Sequence, residues 1–578
     1  MKSLYPRSLL PLLLLSGIAA CSGGDGGTGP TAPTLSCNPG PAPTVMTAGE
    51  FRILNPTSSE GCVRFTTAGA TGAEYLIAAL STAGQVTSSG VTIDYAMQGG
   101  SNGSLNAPAA SGSALPSPLL EVWREPGTAE EFHAMLRIRE RALAAEPGAR
   151  FGAGAPPVQR IPPVVGVKDT FKVCGNTTCS SFTNVIATAK YVGPKGAIFL
   201  DDVVPAGGFL QEDIDTLGLL FDGGVSGSAP NMYQIDTTAF GRESDIDGNG
   251  KVIFLLTDAV NDLSGTCSNG SIILGFFFGG DLLPRSGSNP GSNEAEVFYG
   301  LVPNSTGGCA VSKNYVKQQI APVFIHEFQH MISYNQHVLV RPGVNGEEVW
   351  LNEGLSHFAE ELGGRLLAND GVGQGSASTR LVQFMIPDLL NANDYLLDPE
   401  AHFLIMPSSS TGTLQERGAS WLFVRWLADH YATDSMGTSL TRQLVGTSLL
   451  GSANVQAATG TTMSQLIPLW QLANYLDNLP GFTPTDPRLQ YPSWDFRHIY
   501  DTLHTQRPDL VSRKYPLRPD STTTGSYSRA GTLRAGSGRH LRVLQAANAD
   551  GVDVILARKS GAPFPDDRGV RFGVVRIR

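Results

Sequence analysis

The stretch VFIHEFQHMI, residues 323–332, constrains this chain more than any other. Phe324, Phe328, Met331 and Ile332 recur at helical spacing, and Pro322 stands where a first helical residue tolerates it, which predicts a helix over 323–334. His326 and His330 then lie one turn apart on the same face. Two imidazoles so placed can present nitrogens to one tetrahedral metal, and Glu327, about 100° round the helix, can reach a water beside it. Zinc acidifies water and polarises a carbonyl, so a carboxylate that takes the water's proton completes a hydrolytic centre. The same pentad also fits a helix carrying two solvated or capping histidines, so a third ligand has to be found.

Two routes to that ligand differ in sequence. A metzincin continues H-x-x-G-x-x-H, which requires Gly at 333 and His at 336; here Ser333 and Gln336 stand there, and His337 is one position late. The other route takes a Glu from a following helix, and WLNEGLSHFAEE supplies Glu353. Twenty-two residues lie between His330 and Glu353, enough for a helix end, a loop and a return helix. The WLNEG segment resembles that of gluzincin zinc peptidases. Together with FIHEFQHMI and the preceding DIDGNGKVIFLLTD, it is most similar to the hyicolysin family, over roughly residues 230–435. The resemblance implies a thermolysin-like α+β catalytic domain, His326, His330 and Glu353 as zinc ligands, and Glu327 as general base.

His357, four residues after Glu353, departs from the thermolysin pattern, which has an Asp there to support a ligand histidine. It is expected to support a ligand, to contact substrate or to compete as a ligand, against plain packing. The donor that steadies the oxyanion is the missing part. Zinc aminopeptidases place a Tyr in Y-E-K-G-A, whereas QERGA here has Gln415 in that place; Tyr395, His402, His430 and Tyr431 remain as candidates. No G-x-M-E-N precedes the zinc helix, which counts against a peptidase that reads a free N-terminus. In SDIDGNGK, Asp245, Asp247 and Asn249 alternate oxygens as in a calcium loop, with Asp258 as a further oxygen. Leu256 occupies the twelfth position where a helix-loop-helix site has Glu, and Asn249-Gly250 is equally a hairpin turn.

The first twenty residues put Lys2 and Arg7 ahead of an apolar run too short to span a bilayer, an export leader. IAAC, ending at Cys21, resembles a bacterial lipobox; it implies a diacylated Cys21, and Ser22 after it favours the outer membrane. The other readings are an ordinary cleaved leader or a disulfide at Cys21. Without Cys21 six cysteines remain, an even set suited to export, and short loops favour Cys37–Cys62, Cys174–Cys179 and Cys267–Cys309. A net charge of -10 and the lack of a Lys/Arg run argue against nucleic acid as a partner.

These signals divide the chain into a leader (1–20), a Gly/Ser/Thr/Pro tether (21–45), an N-terminal β domain (46–115), an amphipathic helix with a Pro-rich connector (116–165), the metallopeptidase domain (166–510) and a C-terminal β module (511–578). Within the main domain GAIFLDD, KVIFLLTD and EVFYGLV read as strands, and helices follow, the first after the zinc helix ending at Gly363-Gly364. The expected activity is zinc-dependent endoproteolysis of protein or peptide substrates at a lipid-anchored, exported site, with calcium as a second cofactor. The rival is a surface binding protein or adhesin whose peptidase pocket is vestigial; it predicts loss of Glu327 or a ligand, and all four residues are present.

Overall fold

The computed structural model describes residues 44–56, 61–101, 128–146, 150–151, 159–223, 229–267, 272–306, 309–341, 345–367, 379–410, 412–523 and 526–578. The leader, Cys21, the tether and Cys37 lie outside them.

The chain is mixed α and β, with its strands in three sheets. Its first strands are β1 (Phe51–Leu54), β2 (Cys62–Arg64), β3 (Ala73–Ser81) and β4 (Thr92–Ser101), followed by helix α1 (Thr128–Ala145). Then come β5 (Lys168–Cys174), β6 (Phe182–Val192), β7 (Gly196–Asp201), α2 (Gln211–Asp222), α3 (Met232–Ala239), β8 (Val252–Leu256), α4 (Asp258–Leu263), β9 (Gly275–Phe277) and β10 (Val297–Gly300). Helices occupy the next stretch: α5 (Lys313–Tyr334), α6 (Val349–Leu366), α7 (Thr379–Leu397), α8 (Leu414–Tyr431), α9 (Thr438–Val445), α10 (Gly451–Thr459), α11 (Met463–Leu476) and α12 (Phe496–Gln506). Five strands close the chain: β11 (Asp520–Thr522), β12 (Tyr527–Arg534), β13 (Gly538–Gln545), β14 (Val552–Ala557) and β15 (Val570–Arg576).

The two terminal β segments, expected as separate units, instead interleave. One sheet runs β1-β15-β3-β13-β11 and the other β12-β4-β14-β2. The neighbours of β3 are β13 and β15, and those of β4 are β12 and β14, so these N-terminal strands take their ladders from the C-terminal segment. Arg64 fixes the pairing with a two-pronged ion pair to Asp553, 2.8 Å on both arms. Strand β3 is buried on both faces: Tyr75, Ile77 and Ala79 point to the second sheet, while Leu76, Ala78 and Leu80 join the core shared with the helices. A strand buried on both sides reads as a continuous apolar run, as YLIAAL does.

The third sheet, β5-β6-β7-β8-β10-β9, precedes the helical part in sequence. β7, β8 and β10 are parallel, and β9 returns antiparallel to β10 at the edge. GAIFLDD, KVIFLLTD and EVFYGLV form β7, β8 and β10 as expected. Disulfides join Cys174 to Cys179 and Cys267 to Cys309, and Cys62 is disulfide-bonded.

Helix α5 begins nine residues earlier than the proline suggests. Ser312 caps it by accepting a hydrogen bond from the Tyr315 amide, and Pro322 lies inside. A proline there cannot donate to the carbonyl of Gln318. The Gln383 side-chain amide from α7 fills that acceptor at 2.8 Å, which keeps the helix intact. Helix α6 likewise runs through Gly363-Gly364 to Leu366. A Cβ on Gly363 would stand 2.7 Å from the Phe384 ring, so this glycine serves the close approach of α7 and does not end the helix.

Candidate metal centre

Three polar side chains from two helices converge in the apolar core. His326 and His330 lie one turn apart on α5, and Glu353 projects from the first turns of α6. The glycine of WLNEG lets α8 press on α6: a Cβ on Gly354 would meet the Ser420 carbonyl of α8 at 2.8 Å. His326 Nε2 and His330 Nε2 are 3.2 Å apart, and Glu353 offers one oxygen to each at 3.7 Å. Glu353 is 2% exposed and its Oε2 has no hydrogen-bond partner. Donor atoms bound to one tetrahedral zinc at 2.0–2.2 Å stand about 3.3–3.6 Å from each other. The observed triangle of two imidazole nitrogens and a carboxylate fits that ion in spacing and chemistry.

The outer faces of both imidazoles are occupied. His326 Nδ1 pairs with Glu360 at 2.7 Å, which leaves its Nε2 toward Glu353, while the Ser356 hydroxyl stands 3.0 Å from His330 Nδ1 and 3.3 Å from its Nε2. Glu360 stands seven residues after Glu353, two turns along the same face, and takes the supporting place considered for His357. His357 is tied by Nδ1 to Glu360 at 2.9 Å and to Asp388 of α7 at 2.7 Å, with its Nε2 unpartnered. Burial works against its charge, but the two carboxylates outweigh it and push its pKa to about 10. The Glu353 carboxyl is held well below its usual range: burial opposes ionisation, and Arg417 with the two histidines overcomes it.

Glu327, next to His326 on α5, brings a carboxylate oxygen within 4.8 Å of a nitrogen of each of the two histidines. Its Oε2 accepts the Phe277 amide of β9 at 2.9 Å, and its Oε1 is 4.0 Å from His133 Nδ1 of α1. Burial pushes its pKa up, as suits a group that exchanges a proton. A cavity of about 220 Å³ opens beside it, lined by Glu327, His326, His357 and Arg417 and by the apolar Leu274 and Val323.

Helix α1, whose sequence gives only an amphipathic pattern, borders this cavity and grips the sheet edge. Arg137 donates to the Phe277 carbonyl at 2.5 Å, and Glu140 accepts the Gly279 amide at 2.6 Å. An ion pair at 3.3 Å holds Arg137 and Glu140 together. His133, Arg137, Glu360, Asp388 and Arg417 escaped the sequence reading; Glu360 had the two-turn spacing as a signal, and Arg417 lies in QERGA. None of the oxyanion candidates lines this cavity: Tyr395 accepts from Gln471 at 2.7 Å, His430 bonds the Gln490 carbonyl, His402 packs near Tyr395, and Tyr431 lies near the Trp426 ring.

At the second candidate site, Asp245, Asp247 and Glu296 bring one oxygen each within 4.8 Å of one another. Asn249 joins differently: its amide donates to Asp247 at 2.8 Å and its oxygen accepts the Lys251 amide. Gly248 and Gly250 take positive φ, as the turn reading requires. Arg160 lies 3.6 Å from Asp247 and offsets part of the charge. Asp258 is away from this group, bonded to Asn304 at 3.3 Å.

The chain is similar to the neutral metalloprotease ShpI of Staphylococcus hyicus, 35% identical over 123 residues. That match supports a metalloprotease. It spans 21% of this chain and about a quarter, 26%, of the relative's length. No protein-family model matches. No helix among the described residues is long and apolar enough to cross a membrane.

Proposed function

We propose that the protein is a zinc-dependent endopeptidase of the gluzincin type, closest in pattern to the hyicolysin family, with a thermolysin-like catalytic part made of the β5–β10 sheet and the α5–α8 helices. The observation that carries this reading is the triangle of His326, His330 and Glu353, with Glu327 on the adjoining face beside a cavity. A vestigial pocket would have lost at least one of these.

His326, His330 and Glu353 would hold the zinc, which supplies Lewis acidity to water and to the scissile carbonyl. Glu360 and Ser356 orient the two imidazoles. Glu327 accepts a proton as water's oxygen bonds to the carbonyl carbon, then passes it to the departing amine nitrogen as the C–N bond breaks. One water is consumed and no redox step is needed. The Phe277 amide holds Glu327 by one oxygen and leaves the other toward the cavity side. Substrate is a protein or peptide. The reading includes a lipid anchor at Cys21 in a bacterial outer membrane, and calcium at Asp245 and Asp247 with Glu296 as a third oxygen donor.

The test is hydrolysis of casein or a fluorogenic peptide by wild type and Glu327→Gln. The variant is expected to lose about 10²–10⁴-fold in kcat, the usual share of a positioned proton carrier. Equal rates would defeat the proposal.

A further inference from the structure

Amide hydrolysis places negative charge on the carbonyl oxygen, and a donor aimed at that charge is commonly worth more than any other single group. QERGA lacks the expected Tyr, and the residues proposed above for zinc and proton transfer include no such donor. We propose that Arg417 is the catalytic residue that supplies it, an inference that rests on the zinc-peptidase reading.

Three observations converge on this side chain. Arg417 Nη1 is 3.5 Å from Glu353 Oε2, so the guanidinium touches the carboxylate that completes the metal triangle. Its Nε and Nη2 are buried and have no hydrogen-bond partner, although the residue is only 7% exposed. A buried, unpartnered guanidinium donor is costly, and the cost is relieved only by an acceptor that is brought in. Finally, Arg417 lines the same cavity as Glu327 and His326, where a scissile carbonyl would have to enter.

The local structure holds the residue there. Thr413 and Glu416 form a reciprocal cap at the start of α8: the Thr413 hydroxyl accepts the Glu416 amide at 3.3 Å and Glu416 accepts the Thr413 amide at 2.9 Å. Arg417 follows in the first turn. Gly418 then lets α8 press on α7, since a Cβ there would lie 2.4 Å from the Asn391 backbone. His357 also has a free nitrogen on this cavity, but its other nitrogen is bound to Glu360 and Asp388, and its ring packs 4.8 Å from that of His326, whereas Arg417 touches Glu353 itself. It is the competing candidate that the test must separate.

The experiment uses the full-length protein with Arg417→Gln, Arg417→Lys and His357→Gln. Zinc content, kcat and KM on a fluorogenic peptide, and inhibition by an N-phosphoryl dipeptide, whose tetrahedral oxyanion mimics the transition state, are measured together. Arg417→Gln is expected to keep its zinc and KM, to lose about 10²–10³-fold in kcat and to bind the phosphoryl dipeptide correspondingly more weakly. Arg417→Lys, which keeps a donor, is expected to recover part of both. Loss of zinc in step with activity would mean that Arg417 merely holds Glu353, and undiminished inhibitor binding by Arg417→Gln, or the full signature in His357→Gln alone, would overturn the assignment. Wild type that binds no zinc and cleaves nothing removes the parent reading, and this proposal with it; wild type that does both, beside an unimpaired Arg417→Gln, removes this proposal alone.

Discussion

At the scale of single residues, the metal triangle is only as good as the groups that aim it. Glu360 holds His326 by Nδ1 at 2.7 Å while also holding His357, so one carboxylate orders two rings. Removing such a partner commonly lowers metal affinity about 10- to 100-fold. Glu360→Ala is therefore expected to weaken zinc binding by that factor in a chelator competition, and unchanged affinity would show that packing alone orients His326. The convergence of His326, His330 and Glu353 is legible in the sequence because helix geometry turns spacing into direction: i and i+4 on α5, and a Glu opening the next helix. Glu360 obeyed the same rule at i+7, and only its role was missed. His133 and Arg137 carried no such signal, since they stand 194 and 190 residues upstream of Glu327, and side-chain pairing across that distance leaves no periodicity.

At the scale of elements, α1 occupies the outer edge of β9. Its Arg137 and Glu140 take a carbonyl and an amide that an extended peptide would use if it added to the sheet beside Glu327. The double variant Arg137→Ala/Glu140→Ala removes both members of the ion pair, so no lone buried charge remains. It is expected to raise kcat/KM on an extended peptide by roughly tenfold, the worth of about 1.4 kcal/mol of relieved competition. A value at or below that of wild type, with unchanged melting temperature, would mean that α1 forms part of the productive cleft. Helix boundaries were harder to read than helix existence. Pro322 reads as a start because a lone sequence does not show Gln383 arriving to satisfy Gln318, and Gly363-Gly364 reads as an end because it does not show Phe384 pressing on the helix.

At the scale of the whole molecule, the strands of the two chain ends interleave. The continuous apolar run of YLIAAL and the alternation of VTIDYAM mark strands, but pairing partners more than 400 residues away are invisible to local pattern. Because β3 and β4 find their neighbours in the C-terminal segment, a chain ending at Val511 is expected to lose the protease resistance of residues 61–101. Persistent resistance there would show that these strands have an order of their own. The sandwich also leans on the helical part: Gln471 of α11 donates to the Gly536 carbonyl at 2.7 Å, and its own carbonyl bonds His540. Truncation is accordingly expected to disturb α5 and α6 as well.

The central claim is that His326, His330 and Glu353 hold one zinc for a proton transfer carried by Glu327. Zinc content and peptide hydrolysis, measured on the same preparations of wild type and Glu327→Gln, test it most directly. About one zinc per chain in both proteins, with hydrolysis in wild type alone, is the expected result. Wild type without zinc, or a zinc-loaded Glu327→Gln that cleaves as fast as wild type, would contradict it.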